Sequence, residues 1–78
     1  MNNILSARHD KDILQDIERE LLIDEELSTD NINIDVNNGK VIITGTVISL
    51  EKKQKVEDII NSVNGVIIVV NNLNVEKI

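Results

Sequence analysis

Cysteine and all three aromatic residues are missing from this chain, histidine occurs once, and acids outnumber bases by 14 to 8. Without cysteine there is no disulfide framework and no thiolate metal site, and a zinc site would have to be built from carboxylates around His9. Without Phe, Tyr or Trp there is no stacking platform for single-stranded nucleic acid. A net charge of −6 is the reverse of the basic footprint that a phosphate backbone requires, so nucleic acid is not an expected partner. No stretch approaches the roughly 18 consecutive apolar residues of a membrane span. Met1-Asn2-Asn3-Ile4-Leu5 is too short for a signal-peptide core, so the chain as encoded is expected to stay in the cytoplasm with no transmembrane segment.

What remains is a set of Ile, Val and Leu residues large enough for one small core. A chain of 78 residues makes one domain, and at this size about 60% of the unfolded surface is buried, so the margin of stability is small. The core is expected to be aliphatic and rich in β-branched side chains, whose stiffness suits strands. Charge is uneven: residues 1–38 carry ten acids against three bases, and residues 39–78 four acids against five bases.

Residues 1–9 read as an N-terminal extension and residues 10–78 as a single domain. From Asp10 to about Ile23, Ile13, Leu14, Ile17, Leu21 and Leu22 recur at steps of three and four between acids, which predicts an amphipathic helix. Asp10 or Asp12 is suited to cap it. His9 falls in the approach to the helix and is read as solvated. In the linker Asp24 to Asp30, Leu27 is expected to tuck under the first strand. Asn31 to Asn37 alternates, with Ile32, Ile34 and Val36 on one side and Asn31, Asn33, Asp35 and Asn37 on the other, as a half-buried strand does. Asn38-Gly39 then suits the positive φ angles of a type I′ hairpin turn.

In the second strand Val41, Ile43, Gly45 and Val47 are assigned to the inner face, and Ile42, Thr44, Thr46 and Ile48 to the outer. Gly45 leaves a notch in the inner face, read as room for a helix backbone passing over the sheet. Ser49 is placed to cap a second helix, in which Val56, Ile59, Ile60 and Val63 form the buried stripe and Lys52, Lys53 and Lys55 the solvent side. Asn64-Gly65 ends that helix, and a third strand begins at Val66. Leu73 and Val75 set its parity, with Ile67 and Val69 inner and Val66, Ile68 and Val70 outer. Asn71 falls on the inner side and requires hydrogen-bond partners or a bulge. With a right-handed crossover, the fold is α+β, an αββαβ chain whose three-stranded mixed sheet has the order 1-2-3 and carries both helices on one face.

These features together resemble the BON domain, named for bacterial osmotically induced and nodulation-associated proteins. The residues that carry the resemblance run from Asp12 to Val75. They are the acidic first helix, Asn38-Gly39-x-Val41-x-Ile43-x-Gly45-x-Val47, Val63-Asn64-Gly65-Val66, and Val69-x-Asn71-x-Leu73-x-Val75. The resemblance implies a non-catalytic, transport-associated or osmotic-stress module that binds phospholipid surfaces or hydrophobic ligands. Members of the family often sit in the periplasm or envelope, commonly as tandem or fused copies. Read as encoded, this chain is expected to depart from that pattern as a single copy without an export signal or lipidation cysteine.

Two surfaces are candidates for binding. The outer sheet face offers Ile42, Thr44, Ile48, Val66, Ile68 and Val70, a patch for self-association or for a protein partner of an adaptor. It is also open to the blander reading that Ile4-Leu5 covers it or that exposed aliphatics need no partner. Lys40, Lys52, Lys53 and Lys55 form either a lipid-facing set or a solvated face paired with Glu51 and Glu57. No nucleophile stands beside a sheltered carboxylate pair, and the Asp24-Glu25-Glu26 run lacks EF-hand spacing. No catalytic, cofactor or metal residue is therefore assigned, and Gly39, Gly45 and Gly65 are read as structural.

Overall fold

The computed structural model describes residues 9–24 and 31–76. Its elements run α1 (Asp10–Ile23), β1 (Asn31–Asn37), β2 (Lys40–Val47), α2 (Leu50–Asn61) and β3 (Ile68–Val75). β1 pairs antiparallel and β3 parallel with the central β2, giving the mixed order β1-β2-β3 and the α+β fold expected. The β1–β2 loop is a type I′ turn because Asn38 (φ 52°) and Gly39 (φ 82°) both take positive φ, which an Asn-Gly pair tolerates. At the other end of β2, Ser49 starts α2 by accepting the Lys52 N–H on its hydroxyl at 3.1 Å.

Ile13 and Ile17 of α1 and Val56 and Ile60 of α2 close over Val41, Ile43 and Val47 of β2 and Leu73 of β3, with Val63 at the margin. The register stacks the inner side chains in rows: Val36–Val41–Val69, Ile34–Ile43–Asn71 and Ile32–Gly45–Leu73. Both helices therefore cover one face.

Several local expectations need correction. The N-cap of α1 is His9, whose side chain makes no cap hydrogen bond. Asp10 instead reaches across to the hairpin, where its carboxylate accepts the Asn38 N–H at 2.9 Å and the Gly39 N–H at 3.3 Å. A charged group that satisfies two turn amides ties α1 to the sheet, a stronger use than an end cap. Leu22 does not join the buried stripe and is 71% exposed, because the stripe that meets the sheet runs through Ile13 and Ile17. Leu27, together with Ile4 and Leu5, lies outside the described residues.

The notch at Gly45 is real, but it is β1 that fills it. Gly45 has φ +123°, and a Cβ there would collide with the Asn31 carbonyl and lie 3.1 Å from the Ile32 Cα. No helix backbone is involved. α2 ends at Asn61 rather than at Asn64-Gly65, with the Ser62 hydroxyl donating to the Ile59 carbonyl at 2.8 Å.

β3 begins at Ile68, two residues later than the alternation suggested. The Ile67 N–H donates to the Gly39 carbonyl at 2.8 Å, and the first ladder partner is the pair Lys40–Ile68. Val66 and Ile67 are thus still turning out of α2, and strand parity does not govern them. Ile67, expected inside, is 79% exposed, whereas Val66, expected on the outer face, packs against the core.

Candidate functional site

The outer face is read most directly from its rows. Across β1, β2 and β3 these are Asn37–Lys40–Ile68, Asp35–Ile42–Val70, Asn33–Thr44–Asn72 and Asn31–Thr46–Asn74. On this face more than half of these positions are amide or hydroxyl. Its apolar part is concentrated at the hairpin end, where Ile42 and Val70 are cross-strand neighbours and Ile68 stands beside them, 52% exposed. Ile48 follows β2 at the opposite end, three rows from Ile42, and does not join them. With Val66 turned into the core, the six-residue patch reduces to Ile42, Ile68 and Val70, with Thr44 on its border.

Asn71 is the one polar side chain placed on the inner parity of β3, and it is fully engaged. Its Nδ2 donates to the Lys53 carbonyl at 2.9 Å and to Glu57 Oε1 at 3.1 Å, while its Oδ1 accepts the Leu73 N–H at 3.2 Å. No bulge interrupts the register. This amide fastens α2 to β3 along the edge of the sheet. Beside it an open groove of about 460 Å³ is lined by Leu50, Glu51, Lys53, Gln54, Glu57 and Asn71.

The four lysines do not converge. Lys40 starts β2 at the hairpin end and projects from the outer face, whereas Lys52, Lys53 and Lys55 lie on α2, across the sheet and near its other end. Lys55 pairs with Asp24 at 3.1 Å. That contact joins the end of α1, where Leu22 and Ile23 are exposed, to α2, whereas Leu50, 69% exposed, lines the groove beside Asn71.

A comparison with protein-family models matches residues 9–77 to the BON domain, nearly the whole chain. The chain belongs to the BON domain family. The comparison with curated proteins gave no match. Among solved structures, the BON fold here is similar to the C-terminal domain of CdsD, described as the structural protein of the type III secretion system of Chlamydia trachomatis. The TM-score is 0.70 at 16% identity, over 86% of this chain and 33% of that one. The chain thus spans about a third of that structure, and at this identity the likeness concerns the fold. Membership of the family fits a non-catalytic domain.

Among the described residues of this BON domain, no helix is long and apolar enough to cross a membrane. Sequence reasoning missed Asp10 as the clasp of the hairpin, because nothing local ties a residue to a turn 28 positions away. It also missed Leu22, Ile23 and Leu50 as exposed aliphatics. Leu50 was legible: its side chain falls in the first turn after Ser49, off the Val56–Ile60 stripe.

Proposed function

We propose that this BON domain is a non-catalytic interaction module that associates with its own kind through the hairpin end of its outer sheet face. The observation that carries the reading is the cross-strand pair Ile42–Val70 with Ile68 beside it, over which no described helix or strand lies. Full burial of an aliphatic side chain of this size contributes about 1.5–3 kcal/mol. A net charge of −6 opposes approach of two copies elsewhere, whereas among the described residues this area's rows hold Lys40 and Asp35 as their only charges. Sedimentation velocity over a range of concentrations tests the reading. Ile68→Asp and Val70→Asp should each abolish concentration-dependent association while far-ultraviolet circular dichroism stays unchanged. The second variant is needed because Lys40, opposite Ile68, can partly neutralise a carboxylate there. Unaltered mass in both variants would overturn the proposal.

A phospholipid surface is the second reading, supported by a different end of the molecule. Exposed Leu22 and Ile23 close α1 just before Asp24, which pairs with Lys55 of α2, and Lys55 and Lys52 line one hollow beside Ser49. Aliphatic groups flanked by lysine suit an anionic interface, each lysine contributing about 1 kcal/mol near such a surface. Asp24 and Glu51 in the same neighbourhood work against it. Flotation with vesicles of phosphatidylglycerol, compared with phosphatidylcholine, decides the matter: Lys52→Glu with Lys55→Glu should remove binding, and equal flotation of variant and parent would exclude these lysines.

A further inference from the structure

We infer that two copies join through the free edge of β3, pairing antiparallel about a twofold axis at Val70 to form one continuous six-stranded sheet. This rests on the self-association proposed above and assigns it a geometry. The direction of the backbone groups comes from the parallel ladder. The Ile68 and Glu76 amides donate to Gly39 and Val47 carbonyls, so even-numbered residues of β3 turn their N–H and C=O toward β2. The odd-numbered residues Val69, Asn71, Leu73 and Val75 turn theirs away, and β3 is the last strand in the sheet among the described residues.

Two of these four positions set the register. The Leu73 N–H is already held by Asn71 Oδ1 and the Ile67 N–H by the Gly39 carbonyl. Between those two stops, Val69 and Asn71 present open donors and acceptors. A second β3 running the opposite way can exchange both bonds between Val69 and Asn71′ and both between Asn71 and Val69′, a self-complementary set of four. Val70 then faces Val70′ as the closely spaced, non-hydrogen-bonded pair between them.

That register also explains the outer face. The row Asp35–Ile42–Val70 meets its own copy end to end, so that Ile42, Val70, Val70′ and Ile42′ form one apolar band with an aspartate at each end. No residue from Asn64 to Val75 is charged, in a chain otherwise rich in acids. β3 also lacks the lysine, proline or bulge with which natural edges usually avoid pairing. β1, the opposite edge, carries Asp35 and three asparagines on its outer side and no comparable aliphatic run.

The absence of native cysteine makes the test clean. Val70→Cys should form a disulfide-linked dimer under copper phenanthroline, since directly opposed residues of a non-hydrogen-bonded pair lie within disulfide reach. Asn72→Cys, on the same face, would sit about 13 Å from its copy and should not. Independently of any substitution, hydrogen exchange of the Val69 and Asn71 amides should slow about tenfold or more as the unmodified protein is concentrated, while Leu73 changes little. Concentration-dependent mass that Val70→Asp abolishes, combined with equal cross-linking at positions 70 and 72 and unchanged Val69 and Asn71 exchange, would overturn edge pairing and leave outer-face association standing. A protein that remains monomeric at every concentration would overturn both.

Discussion

On the inner face of the sheet, Val41, Ile43 and Leu73 are sealed beneath Ile13, Ile17, Val56 and Ile60, whereas on the outer face the same strands display Asn33, Thr44 and Asn72 in one row and Ile42 and Val70 in the next. The chain is the same, and only parity differs. On the inner face the aliphatic groups form the buried core or pack against it, so that side accounts for folding. The outer rows that contain Thr44 and Thr46 are polar as a solvated face should be, so the aliphatic pair at the hairpin end is a local departure from that pattern. We propose that it serves association and not folding.

The comparison can be broken most forcefully at Gly45, where β2 adds no side chain to the inner row Ile32–Gly45–Leu73. Gly45→Val should destabilise the domain by about 3 kcal/mol or more, because the positive φ and the collision with the Asn31 carbonyl add strain to overpacking. A denaturant midpoint equal to the parent's would show that the strands separate there without cost. Asn71→Ala, which removes two hydrogen bonds from β3 to α2 and one within β3, should cost about 1–3 kcal/mol. The same change frees the Leu73 N–H, so under the edge-pairing account the variant should associate more readily per folded molecule; sedimentation of the two proteins at matched folded concentration checks this. Asp10→Ala should cost about 1–2 kcal/mol by releasing the Asn38 and Gly39 amides from α1. Amide exchange at Asn38 and Gly39 would accelerate, and unchanged exchange would show that the clasp is not formed in solution.

Much of the architecture was legible because it is written in short-range patterns. The Asn38-Gly39 turn, the alternation from Asn31 to Val47 and the Val56–Ile60–Val63 stripe each specify their element within about ten residues. Asn71 announced itself as a polar residue on a buried parity and does find partners. The errors arose where long-range geometry governs. Val66 and Ile67 looked like strand because they are β-branched, yet the Gly39 carbonyl fixes where pairing can begin. Gly45 suggested a close approach without saying by what, and the answer depends on the β1 register. The lysines were adjacent in composition but are divided in space by the sheet, which no periodicity could reveal.

The central claim is that the hairpin end of the outer face serves association and not folding. It is tested most directly by measuring, on the parent and on Val70→Asp, both the sedimentation mass at high concentration and the unfolding midpoint at a concentration low enough to keep each monomeric. The expected result is association in the parent alone, with the two midpoints equivalent. Identical masses, or a variant that has lost its fold, would contradict it.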